Sequence, residues 1–203
     1  MTVPIDQLLD VPKNTPVVIR SYYRAGSTAL CSFIEKHYNY QNFDEAFHNS
    51  YPKRRNNFFD YKENNDWVIK IMGDQWDTTR WPCQNDLWDR AYKIKLTRRN
   101  FEKQLISWYI SYKTKKWHQK ADEKNDLQFQ DYTVPLSEHW MKIFFAKLSN
   151  YNRMVDNFRA NYDYELVYED LKIDNSDFIR RQIPSNYDQI QDLAKKIIKL
   201  SRR

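Results

Sequence analysis

The sequence predicts an α/β fold, a three-layer sandwich with a central parallel sheet. Short, mostly apolar segments alternate with longer ones whose apolar residues recur at helical spacing. Strands apolar on both sides suit a sheet covered by helices on both faces. Length agrees: 203 residues make one domain, 1–203, long enough to close a core.

The elements follow in order. Thr15 to Ser21 is β-branched and reads as the first strand, and Arg24 to Thr28 is a loop. From Ser27 to about Tyr38, Leu30, Phe33, Ile34 and His37 fall at helical spacing. Trp67 to Met72 is a second strand, stopped by Gly73-Asp74, and Tyr92 to Thr97 is a third. Asn100 caps a helix to about Lys113, with Phe101, Leu105, Trp108, Tyr109 and Tyr112 along one side. The polar segment 114–135 reads as a long loop or lid, and equally as a solvated surface insertion. Ser137 starts a long helix with an apolar stripe of Trp140, Phe144, Leu148, Tyr151, Val155 and Phe158. Tyr164 to Tyr168 is a fourth strand, and Asn186 begins a last helix that buries Ile190, Leu193, Ala194, Ile197 and Ile198.

Composition narrows the function. Hydrophobic residues at 41% exclude a disordered chain, and no apolar run is long enough for a membrane span. No secretory signal is expected. Two cysteines, Cys31 and Cys83, cannot form a disulfide scaffold, so a reducing, cytoplasmic setting is expected, with Cys31 a buried, inert thiol. Four scattered histidines give no metal-site spacing, so no metal is expected. The formal charge of +6 and 16% aromatics allow a basic nucleic-acid-binding module. The charge is scattered and the aromatics follow helical stripes, however, so neither a nucleic-acid nor a membrane partner is expected. Lys53-Arg54-Arg55 and Ser201-Arg202-Arg203 read as surface charge that could also attract an anionic acceptor.

Only two glycines occur, Gly26 and Gly73, so each is expected to answer a backbone need. Gly26 lies between a strand and a helix. The first N–H groups of that helix lack intrahelical partners and favour an anion. Arg24 adds a positive fork, and Ser27 and Thr28 add hydroxyl donors, which together make a phosphate or sulfate cradle. The Gly-Lys-Ser/Thr of a Walker A loop is missing, which weakens the rival reading of a nucleotide-dependent P-loop kinase. An ordinary capped helix is the plainer alternative. Arg99 stands at the end of the third strand, and Ser107 follows eight residues later on the next helix. Such a pair can grip a second phosphate. Taken alone, Arg99 equally suits pairing with a carboxylate, and Ser107 suits packing.

Together these runs resemble the sulfotransferases that use 3′-phosphoadenosine 5′-phosphosulfate (PAPS). Tyr23-Arg24-Ala25-Gly26-Ser27-Thr28 matches the family's phosphosulfate loop in four of six places, with Tyr23 for the usual proline and Ala25 for the usual serine. Arg99-Asn100, Ser107 and Trp108-Tyr109 resemble its 3′-phosphate signature, and Tyr168-Glu169-Asp170-Leu171 a third run after a strand.

The resemblance implies a P-loop-NTPase-like sulfotransferase fold and sulfuryl transfer without a metal. The partners it implies are PAPS and its product adenosine 3′,5′-bisphosphate; a small-molecule or glycan acceptor is expected, because the Trp, Tyr and polar residues of 114–135 suit stacking on sugar rings. Carried over, Arg24, Ala25, Gly26, Ser27 and Thr28 hold the phosphosulfate, Arg99 and Ser107 the 3′-phosphate, and Tyr168 lies near the adenine. Lys70 resembles a family lysine that points at the transfer site. Met72 stands where cytosolic animal members carry a histidine base, and their closing Arg-Lys-Gly run is absent. Lys70-Ile71-Met72-Gly73-Asp74-Gln75 is nearer the bacterial trehalose sulfotransferase type, in which a glutamate after the first helix is the base. Asn42 to Phe47 resembles that region without its proline, which makes Glu45 the candidate base and Asp44, His48 and Asp74 its rivals.

Overall fold

The computed structural model describes residues 3–4, 9–115, 132–158, 161–172 and 183–201. A short strand β1 (Val3–Pro4) pairs in parallel with β7 (Leu171–Lys172). The main sheet has five strands: β2 (Val17–Ser21), β3 (Gln41–Asp44), β4 (Trp67–Met72), β5 (Tyr92–Thr97) and β6 (Tyr164–Val167). All neighbours pair in parallel, in the order β3-β4-β2-β5-β6. The α/β class and central parallel sheet expected from the sequence are therefore what the chain forms.

Helix α1 (Ser27–Tyr38) leads from β2 to the edge strand β3, and α2 (Pro52–Tyr61) leads back to β4. Helix α3 (Cys83–Arg90) then carries the chain past β2 to β5. The order of the sheet thus reverses at β2, and the carboxyl end of β2 lies at the topological switch point where such sheets bind ligands. Alternation along the strands covers both faces. Val17, Ile19 and Val68 join Leu30, Cys31 and Ile34 of α1, whereas Val18, Ile69 and Ile71 join Phe58 of α2 and Leu87 and Trp88 of α3.

By its internal contacts the chain forms two compact units, Met1–Arg99 with Tyr151–Ile173, and Asn100–Asn150 with Asp174–Arg203. The first holds the sheet. The second contains α4 (Phe101–Thr114), most of α5 (Glu138–Asp156) and α6 (Tyr187–Leu200). Asn100 caps α4 as expected, its side chain accepting from the Lys103 N–H at 2.9 Å. Phe144 of α5 packs against Trp108, Tyr109 and Tyr112 of α4. Ile190, Ala194 and Ile197 form the buried face of α6, while Leu193 and Ile198 are half-buried.

Of the expected lid 114–135, residues 116–131 lie outside the described residues. The last part is anchored: Val134 is buried, and its N–H and C=O both bond the Asn186 side chain, at 3.0 and 2.8 Å. The stripe of α5 holds at Phe144, Leu148 and Val155, which are buried, but at its start Met141 takes the inward place and Trp140 is 36% exposed. The fourth strand stops at Val167 and passes into a 3-10 turn, Tyr168–Asp170.

Candidate active site

The loop between β2 and α1 follows the central strand, where a strand–loop–helix phosphate cradle stands in P-loop folds. Arg24 has φ 59° and Gly26 has φ 80°, which turns the chain sharply into the helix. Gly26 has a second constraint, because a Cβ there would stand 2.6 Å from carbons of the Tyr168 ring. Ala25 and Ser27 are buried beneath the turn. No side chain caps α1 and no acid sits in its first turn, which leaves its N-terminal amides for an external anion. In this the loop differs from the start of α4, which its own asparagine caps.

Behind the loop lies Lys70 of β4, on the same sheet face as α1 and almost wholly buried. Its ammonium has three protons and three partners: Thr28 Oγ1 at 2.6 Å, Asp44 Oδ1 at 2.6 Å and Glu45 Oε1 at 3.3 Å. Burial alone would lower its pKa, but Asp44 and Glu45 outweigh burial and hold the ammonium above the ordinary lysine value. Arg54 of α2 pairs with the other oxygen of Asp44 at 2.6 Å. The remaining oxygen of Glu45 accepts from Gln75 Nε2 at 2.8 Å. Gln75 is fixed in turn, since its Oε1 accepts from the Met72 N–H at 3.1 Å and its carbonyl accepts from buried Gln84 at 2.9 Å. The candidate base, the candidate lysine and the loop hydroxyl thus form one connected group.

The rival bases are placed differently. Asp44 lies between two cations. His48 Nδ1 accepts from the Ser50 N–H at 3.1 Å. Asp74 accepts from the Tyr23 hydroxyl at 2.6 Å, and burial together with Asp74 drives that phenol far above its ordinary pKa. Gly73 next to it packs so closely on the Tyr151 backbone that a Cβ would collide with the carbonyl oxygen. Buried Arg20 staples the same turn by donating to the Met72 and Gly73 carbonyls at 2.5 and 3.0 Å.

On the other side of the loop, the arginine that touches it is Arg98. It donates to the Arg24 carbonyl at 2.6 Å, stands 4.9 Å from the Tyr168 ring centroid, and pairs with Glu169 at 3.6 Å. Arg99 is more exposed, its guanidinium paired with Asp170 and its N–H donating to Glu169 at 3.0 Å. The alternative of Arg99 paired with a carboxylate is thus the contact observed. Ser107 lies half-buried on α4, its carbonyl accepting from Ser111 Oγ at 2.7 Å. The sequence reading missed Arg98 and Gln75. The adjacent arginines differ in role only through the sheet register, which sets Ser21 beside Leu96 and so brings the end of β5 to the loop.

No family model matches the chain, and no curated protein matches it. Among solved structures it is similar to a shikimate kinase from Bacteroides thetaiotaomicron. The two are 9% identical, with a TM-score of 0.43 over 93% of this chain and 99% of that one.

Proposed function

We propose that the chain is a sulfotransferase that moves the sulfuryl group of PAPS to an acceptor hydroxyl, with a carbohydrate as the favoured acceptor. The supporting observation is the Lys70 ammonium, which joins Thr28 of an uncapped loop to Glu45. An anion held by the α1 amides would sit next to a fixed positive charge and a fixed carboxylate. The residues present suit a phosphosulfate group, because the first turn of α1 has neither a capping side chain nor an acid.

The donor supplies a sulfuryl group whose S–O bond to the 5′-phosphate breaks as the acceptor oxygen bonds to sulfur. The α1 amides would offset charge on the departing phosphate, and Lys70 would join them by exchanging one of its partners Thr28, Asp44 and Glu45 for the phosphate. Arg24 serves the same end from the loop. Glu45 takes the acceptor proton, a step typically worth roughly 10²–10⁴-fold. The Lys70 and Gln75 contacts hold its carboxylate in one orientation. The assignment of the 3′-phosphate to Arg99 and Ser107, and of the adenine to Tyr168, stands on the sequence resemblance. For Arg99 it requires exchange of Asp170 for the phosphate. A kinase is the second reading, since a P-loop-like arrangement serves phosphoryl transfer equally well.

One set of measurements tests this. Adenosine 3′,5′-bisphosphate should bind, and Arg99→Ala should weaken it by about 1.5–3 kcal/mol through loss of charge-assisted bonds. Glu45→Gln should keep that binding and lose turnover of labelled PAPS with a mixed glycan acceptor. Binding of ATP with magnesium in preference to the bisphosphate would move the assignment to a kinase.

A further inference from the structure

The Lys53-Arg54-Arg55 run acquires an arrangement in the fold that the site above does not use. The Arg55 guanidinium lies 4.6 Å from the centroid of the Trp81 ring, and Arg80 lies 5.1 Å from the same ring. Trp81 is backed by Phe47 and Phe59, at 6.0 and 6.2 Å between centroids, so the indole is a fixed platform. Neither guanidinium has a carboxylate partner among the described residues. Two like charges therefore share one ring; the nearby Asp77 carboxylate accepts from the Arg80 backbone N–H at 3.0 Å and is not paired with either guanidinium. Stacked guanidiniums keep their in-plane N–H donors available for a carboxylate or sulfate.

The platform is tied to the candidate base. The Glu45 carbonyl accepts from the His48 N–H at 3.1 Å, His48 from Tyr51 at 3.1 Å, and Tyr51 from Arg55 at 3.2 Å. Arg54 is already committed, paired with Asp44 and stacked 4.7 Å from the Tyr51 ring. We propose that Arg55 and Arg80, stacked on Trp81, bind an anionic group carried by the acceptor, and that the acceptor is an acidic saccharide. This rests on the transferase reading. A saccharide presents hydroxyls and an anion on one rigid unit, so a grip on the anion orients a hydroxyl toward Glu45. Single-stranded nucleic acid fits less well. Its bases need open aromatic faces, and here Tyr51 and Trp81 already carry guanidiniums.

The test is a calorimetric titration of the full chain with five probes: a galacturonic acid hexamer, a heparin-derived hexasaccharide, maltohexaose, a dT12 oligonucleotide and a hexaglutamate peptide. The acidic saccharides should bind, maltohexaose should not, and R55Q and R80Q should each weaken binding by roughly tenfold. Which acidic probe binds better tells carboxylate from sulfate. R80Q replaces an exposed residue, and melting temperatures check that both variants are folded. Equal binding by wild type and both folded variants overturns the proposal, as does tighter binding of dT12 or hexaglutamate through these arginines. Titration with adenosine 3′,5′-bisphosphate is the separate arm. If it fails while the acidic saccharides bind, the transferase reading falls and the anion site stands; the reverse result removes only the anion site.

Discussion

Lys70 connects what the sequence shows with what the site needs. In a strand of apolar residues it is the one charge, and its partners are Thr28 of α1, Asp44 at the end of β3 and Glu45 in the bend that follows. Removing one member of a buried ion pair typically costs about 3–5 kcal/mol, because the remaining charge is left uncompensated. Lys70→Met should lower stability by that amount, measured by denaturant unfolding. The pH dependence has a definite sign. The folded pKa is raised above the ordinary 10.5, so the contribution of Lys70 is complete below that value and is lost as pH rises through the folded value. The gap in melting temperature between wild type and Lys70→Met should be constant from neutral pH to about 10 and narrow above it. A gap that already closes near neutrality would contradict the ion-pair account.

Two elements carry consequences of their own. The turn into α1 needs the left-handed backbone at Gly26, and the Tyr168 ring fills the space where a side chain would go. Gly26→Ala should cost roughly 1–3 kcal/mol from backbone strain alone. It should cost less in a Tyr168→Ala background, where the clash is gone, and a double-mutant cycle reads that coupling. At the start of α5, Glu138 pairs with Lys142 at 2.8 Å and with Lys196 of α6 at 2.7 Å. Hydrogen bonds to both lysines pull its carboxyl down to about 2. A depressed folded pKa stabilises above the ordinary glutamate range and is lost as pH falls toward the folded value. Wild type should therefore melt slightly above Glu138→Gln at pH 6, and the difference should vanish near pH 2.

Across the whole molecule, legibility in the sequence followed burial. Ser27–Tyr38, Trp67–Met72 and Tyr92–Thr97 have the expected bounds because apolar residues fill them and sharp breaks flank them. Strand β3 escaped notice because an edge strand reading Gln-Asn-Phe-Asp buries only Phe43. Helix α2 escaped because it buries only Phe58 beneath a basic and amide-rich surface. In α3 one of the three buried side chains is Gln84, which periodicity counts as polar. The site followed a similar logic. Arg24 to Thr28, Lys70 and Glu45 announce themselves by charge or by glycine. Gln75 orients a carboxylate through an uncharged amide and leaves no comparable trace, and Arg55 and Arg80 share the Trp81 ring only once α2 meets the loop before α3.

The ring of Tyr168 against Gly26 makes the turn sensitive to a part of the chain far away in sequence. The two residues meet because β6 pairs with β5, which itself lies next to β2. Fraying at that edge of the sheet lifts the ring from the glycine, so whatever loosens β6 also unpacks the turn into α1.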